Sequence, residues 1–195
     1  MAWKGTRSQF IEKFGPYIHK VTKGTGILPG TLIAQAFIES SSGKTPSIVG
    51  SSGLTQATNN YFGIKCGGNY KGEGYRTKTG EYLNGKNVVI TDCFRKYKSP
   101  EDSILGYINF LQTNKRYANA GVFQAKTVKE QAEALKRAGY ATAPGYAAFI
   151  QSIYSPYAKQ IEAQKSQMAG FPVRTVVGAL LFAAAATALS KAFKN

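Results

Sequence analysis

Residues 28–43, Leu-Pro-Gly-Thr-Leu-Ile-Ala-Gln-Ala-Phe-Ile-Glu-Ser-Ser-Ser-Gly, constrain this chain more than any other stretch. Pro29 suits the first turn of a helix, where a missing N–H is no loss. Leu32, Ile33, Ala36 and Phe37 recur at helical spacing, and Gly43 stands where a helix is expected to stop. A helix this apolar has to be enclosed, so the other elements are organised around it. Glu39 stands seven residues after Leu32 and three after Ala36, and so projects from their side. Partial burial and the negative end of the helix dipole both disfavour its charged form. Both raise its pKa, as a general acid working near neutral pH requires. The spacing alone leaves open the plainer alternative, a last-turn carboxylate in water with its stem on the core.

A chain of 195 residues is long enough for one domain with a real core and a small appendage. The division expected here is a domain over 1–165 and an apolar tail over 166–195. The charge balance is lopsided, with 25 Lys+Arg against 10 Asp+Glu, a net +15. Such a surface attracts polyanions: nucleic acid, an anionic membrane, or the acidic polymers of a bacterial envelope. The basic residues are scattered, and neither zinc-finger spacing nor an RNA-binding signature occurs, so no specific nucleic-acid partner is expected. The first ten residues contain no apolar h-region, so no secretory signal is read there. With Cys66, Cys93 and His19 the only residues of their types, a Cys/His metal site is short of ligands, and no metal or cofactor is expected. A Ser–His or Cys–His nucleophile would depend on His19, which falls off the apolar face of its helix and reads as a surface residue.

In chain order, Phe10, Ile11, Phe14, Tyr17, Ile18 and Val21 keep one helical face across Pro16, a residue expected to kink or divide the helix. From 44 to 69 periodicity fades and Gly, Ser, Thr and Asn dominate, which reads as loop. Within it, Asn60-Tyr61-Phe62-Gly63-Ile64-Lys65 forms an aromatic knot suited either to the core or to the wall of a groove. Asn84-Gly85 between the strand-like runs 75–83 and 86–94 predicts a hairpin with a type I′ turn. Ser99-Pro100-Glu101-Asp102 is a helix start, with Ile104, Leu105, Ile108 and Leu111 as its buried face. Thr127 to Glu130 is a capping box for a helix ending at Gly139, and a further helix begins near Pro144. Helices, one β-hairpin lobe, then helices again make an α+β fold. Residues 175–190 are sixteen without a charge, flanked by Arg174, Lys191 and Lys194. This stretch suits a short membrane or interfacial helix, or equally a helix packing on a partner.

Only ten carboxylates exist, so each is weighed in turn. Glu101, Asp102 and Glu130 belong to helix starts, and Glu12, Glu133 and Glu162 to solvated helix faces. Beside Glu39 this leaves Glu73, Glu81 and Asp92 in or near the hairpin lobe. Glu81 near the hairpin tip is either a second catalytic carboxylate facing Glu39 across a cleft or an exposed strand acid. One acid on a helix and one on a small β lobe is an arrangement used for glycoside cleavage.

The segments Ala34-Gln35-Ala36-Phe37-Ile38-Glu39-Ser40, Asn60-Tyr61-Phe62-Gly63-Ile64-Lys65, Thr79-Gly80-Glu81, Phe94-Arg95-Lys96-Tyr97 and Ala138-Gly139-Tyr140-Ala141-Thr142 occur in order. Together they resemble the peptidoglycan β-N-acetylglucosaminidases of bacterial autolysins and of the flagellar rod-assembly muramidase, glycoside hydrolase family seventy-three. The likeness runs from about residue 8 to 157. It implies a lysozyme-like α+β fold, mostly helical, with the β-hairpin lobe flanking an active-site cleft. It implies cleavage of the β-1,4 bond after N-acetylglucosamine in glycan strands, with Glu39 as general acid and Glu81 as second carboxylate. Tyr140 and Tyr146 then support the N-acetyl side of the sugar, and Asn60 and Phe62 bind substrate. Whether Glu81 activates water or the acetamide assists is left open.

Two departures from that pattern stand out. Ser40, Ser41 and Ser42 replace a Gly and an aromatic after the acid, and Ala143 replaces an Asp before Pro144. Cys66 and Cys93, at the edges of the lobe, either close a disulfide or pack as thiols. Beyond the glycan strands, the expected partners are anionic wall polymers and a membrane or virion protein met through 171–195. That tail, with the missing signal, is read as a phage endolysin or virion-associated lysin. The rivals are a lytic transglycosylase, a non-catalytic wall-binding or virion structural module of the same fold, and a nucleic-acid-binding protein.

Overall fold

The computed structural model describes residues 1–67, 70–83, 86–141 and 143–170. The expected Asn84-Gly85 turn and the tail 171–195, with its expected membrane or virion contact, lie outside the described residues. Among those described, no helix is long and apolar enough to cross a membrane.

The elements run β1 (Gly5–Thr6), α1 (Arg7–Thr22), α2 (Pro29–Ser40), β2 (Ile48–Val49), α3 (Gly53–Thr58), β3 (Gly74–Leu83) and β4 (Lys86–Arg95). Then follow α4 (Pro100–Thr113), α5 (Lys115–Asn119), α6 (Val128–Arg137), α7 (Tyr146–Tyr154) and α8 (Ala158–Ala163). The expected α+β fold is observed, mostly helical with one hairpin lobe beside a groove. The range read as loop holds β2, which pairs antiparallel with β1, and the short α3. Ser52 starts α3 by accepting the Thr55 N–H at 3.1 Å. Polar side chains that break periodicity there also serve as caps.

Helix α2 lies at the centre. Every residue from Gly30 to Phe37 is buried, and Leu32, Ile33 and Ala36 are wholly so. Each large apolar side chain enclosed in this way contributes roughly 1.5–3 kcal/mol. Helix α7 crosses α2 closely at Gly30, where a Cβ would stand 2.5 Å from Tyr154 Cε2. The helix stops at Ser40 rather than Gly43 because the Ser40 hydroxyl turns back to the Ala36 carbonyl and accepts the Gly50 N–H at 2.9 Å.

On α1, a division at Pro16 and a surface place for His19 are corrected. The helix runs undivided through Pro16, since burial of Tyr17, Ile18 and Val21 beyond it outweighs a defect of about 3 kcal/mol. His19 is buried, not on the surface, with Nε2 2.7 Å from the Ile161 carbonyl oxygen. The chain returns after α7, so α8 and the turns at Gln164–Gly170 cover the side of α1 that helical periodicity leaves polar.

Strands β3 and β4 pair from Gly74↔Arg95 to Leu83↔Lys86, leaving the two-residue connection that the hairpin signal requires. The base of this lobe is fastened to the body. Cys66 and Cys93 are joined in a disulfide, the Cys66 N–H donates to the Cys93 carbonyl, and the Arg95 N–H donates to that of Ile64. Asn60 makes the loop rigid. Its Nδ2 donates to the Ile64 and Arg95 carbonyls, and its Oδ1 accepts the Ile64 N–H at 3.0 Å.

Candidate active site

On the otherwise enclosed α2, Ile38 and Glu39 are the last residues before Ser40 and the only half-buried ones after Gly30. Burial pushes the Glu39 carboxyl up to about 7, against an ordinary value of 4.5. At that value a large fraction is protonated at neutral pH, the state in which a carboxyl donates a proton. The loop opposite passes close to it. Gly63 has φ +61°, and a Cβ there would lie 3.6 Å from Glu39 Oε2. A backbone in that left-handed region favours glycine.

Beside Glu39 stands a group of tyrosines. Buried Gln35, one turn earlier on α2, donates from Nε2 to the Tyr146 hydroxyl at 2.8 Å, while Tyr107 donates to Gln35 Oε1. Tyr140 donates to the Phe62 carbonyl at 3.1 Å. Burial first, and the nearby Glu39 carboxylate second, raise the pKa of the Tyr140 and Tyr146 hydroxyls and so oppose their ionisation. They remain neutral phenols, able to donate as well as accept.

From this point a groove of about 1150 Å³ runs between the base of the hairpin lobe, α4–α5 and the segment after α6. Gly63 and Tyr140, both close to Glu39, are among its walls, with Phe110, Asn114 and Tyr117.

The structure therefore brings Glu39, Tyr140 and Tyr146 together, with Tyr140 on the groove wall and Tyr146, 6% exposed, buried beside it. It corrects the expectation for Asn60 and Phe62. Asn60 is wholly buried in its loop, and Phe62 is 2% exposed with its ring stacked 4.3 Å from that of Tyr107, so neither lines the groove. The aromatic knot packs into the core, Phe62 on Tyr107 of α4 and Tyr61 beside Phe10 of α1. Glu81 is placed by its backbone on β3 opposite Val88, and its side chain lies outside what the structure describes. The other acids of the lobe are engaged. Asp92 is held below the usual carboxylate range by its bond to Lys65, 2.9 Å away, and by the Cys93 N–H. Glu73 pairs with Lys96 at 2.5 Å. Among the described residues no three His, Cys, Asp or Glu side chains cluster to hold a metal. Sequence reasoning missed Gln35 and Tyr107. The available signal was a polar residue inside an apolar helical run, which once buried must find partners.

A family model described as mannosyl-glycoprotein endo-beta-N-acetylglucosaminidase, the Glucosaminidase family, matches residues 15–159. A peptidoglycan hydrolase FlgJ of Pseudomonas aeruginosa is 37% identical over 145 residues, 74% of this chain and 35% of that protein. An exo-glucosaminidase LytG of Bacillus subtilis is 35% identical over 152 residues, 76% of this chain and 50% of that protein. The chain thus spans between a third and a half of the length of these curated relatives. Among solved structures, the catalytic domain of the autolysin Auto from Listeria monocytogenes superposes with a TM-score of 0.63 at 30% identity, covering 84% of this chain and 90% of that one. A peptidoglycan hydrolase from Sphingomonas sp. A1 superposes with a TM-score of 0.62 at 26% identity, covering 85% and 97%. The matched span holds α2 with Glu39, the hairpin lobe and the tyrosines, and by that match the chain belongs to the Glucosaminidase family.

Proposed function

We propose that the chain is a peptidoglycan hydrolase that cleaves the β-1,4 bond following N-acetylglucosamine. The carrying observation is Glu39, a carboxyl raised to about 7 that borders Gly63 on the wall of a groove of about 1150 Å³. Glu39 protonates the glycosidic oxygen as the bond breaks, a role that contributes roughly 10²–10⁴-fold to such reactions. Glu81 is the second carboxylate, activating water on the opposite face. The Tyr146 hydroxyl, already accepting from Gln35, has its own proton left for the sugar's N-acetyl side. The Tyr140 phenol, whose proton goes to Phe62, offers lone pairs and a ring face instead.

The relatives named above support a setting at the bacterial cell wall and are all from bacteria. Net charge +15 holds the protein near anionic wall polymers. The finer reading as a phage or virion lysin rests on residues 171–195, and its test is whether purified virions carry the chain.

Digestion of purified sacculi followed by mass spectrometry of the products tests the reaction. New reducing-end N-acetylglucosamine is the expected product, absent with Glu39→Gln and reduced with Glu81→Gln. Anhydro-sugar ends would make it a lytic transglycosylase. Glycan retention with no turnover by the unsubstituted protein would leave only a wall-binding module.

A further inference from the structure

The groove is charged in a way that a neutral sugar chain does not require. Its described lining includes Lys65, Lys71, Arg95 and Arg116 and no acidic residue. Lys65 is already paired with Asp92. The two arginines form no ion pair with any carboxylate among the described residues, yet both are held in place. Arg95, at the end of β4, donates from Nε to the Lys65 carbonyl at 3.2 Å, and its guanidinium lies over the rings of Tyr70 and Phe110 at 4.6 and 5.6 Å. Arg116, on α5, donates from Nη2 to the Tyr117 hydroxyl at 2.6 Å and lies 4.7 Å from the centre of that ring. A guanidinium resting on aromatic faces has lost much of its freedom, so less is lost when a carboxylate binds its remaining N–H groups. Nor do the arginines serve to set the acid, since burial alone accounts for the raised Glu39 carboxyl.

We propose that Arg95 and Arg116, facing the groove from the hairpin lobe and from α5, form a subsite for carboxylates carried by the glycan strand's substituents. Such carboxylates come from two sources, the peptide stems or, where a strand carries no stem, the free lactyl group. The inference rests on the glycosidase reading above and adds a preference for acidic, substituted strands over neutral ones. Two planar forks suit carboxylates better than point charges do, because each can bind bidentately. Binding then aligns the strand along the groove with its scissile bond at Glu39.

The experiment measures KM and kcat on intact sacculi and on sacculi whose carboxylates have been converted to methylamides with carbodiimide. Capping should raise KM about five- to tenfold, the scale of a partly exposed charged contact, with kcat within about twofold. Arg116→Gln and Arg95→Gln should each raise KM several-fold on intact sacculi and add nothing on capped ones. Because Arg95 also packs between Tyr70 and Phe110, Arg95→Lys serves as its second variant. It keeps the charge without the fork, and an intermediate KM is expected. Glycan freed of stems by an amidase gains lactyl carboxylates, which stem-bearing units hold as amides. An arginine effect that persists there shows that the subsite takes the lactyl carboxylate of stem-free strands, and one that vanishes assigns the stem. Equal losses on intact and capped sacculi, or a parent protein indifferent to capping, overturn the proposal. Absence of turnover on every substrate sinks the glycosidase reading instead. Co-sedimentation of the Glu39→Gln protein with intact and capped sacculi then judges the subsite separately.

Discussion

Gln35 Nε2 donates to the Tyr146 hydroxyl at 2.8 Å across 111 residues of sequence, while its Oε1 accepts from Tyr107. One buried amide thereby aligns two phenols beside the acid that stands one turn later on the same helix. Gln35→Leu keeps the volume and leaves both hydroxyls without that partner. It should lower unfolding stability by about 2–4 kcal/mol, the usual loss when buried polar groups are orphaned. Urea titration measures this. A substituted protein as stable as its parent would show that the network does not hold the core together.

The pH dependence of turnover follows from the direction of the Glu39 shift. A general acid acts in its protonated form, and burial places this group at about 7. The kcat/KM should therefore fall as pH rises through about 7, approaching tenfold per unit above it. A profile flat to pH 9 would mean that another group supplies the proton.

Stability should respond to the same carboxyl. Its folded pKa lies above the ordinary 4.5, so the folded state binds the proton more tightly than the unfolded chain. Stability is therefore full below about 4.5 and declines as pH rises to about 7. For a half-buried group the difference is on the order of 2 to 3 kcal/mol. Glu39→Gln should thus raise the melting temperature at pH 8 relative to the parent and have little effect at pH 4. The opposite ranking would mean the carboxylate is stabilised in the folded protein, not penalised.

The Cys66–Cys93 bridge spans 27 residues that include all of β3. A cross-link of that length typically contributes about 2–4 kcal/mol, chiefly by restricting the unfolded chain. Replacing both cysteines by serine should lower stability by that amount, and dithiothreitol should bring the parent protein to the same melting point. Identical melting with and without reductant would deny the bridge a stabilising role.

Local structure was largely legible in the sequence. The caps at Ser99 and Thr127 are where their patterns predict, because a cap is a bond between residues three apart. The β3–β4 register follows from a two-residue turn signal for the same reason. Glu39 could be singled out because an acid on an apolar helical face is visible in spacing alone.

Other features became legible only in three dimensions. His19 looked exposed until α8 came back over α1 from more than a hundred residues away. Asn60 and Phe62 looked like groove residues until Asn60 was found tying its own loop and Phe62 stacking on Tyr107. Composition counted Arg95 and Arg116 within a diffuse +15, and only folding set them along one groove on separate aromatic supports. Taken alone, the sequence determined the longer helices, the hairpin and the acid on α2, because those depend on neighbours within a few residues. The tertiary structure decided what covers α1, what Gln35 holds and which charges share a groove, because those depend on which distant surfaces meet.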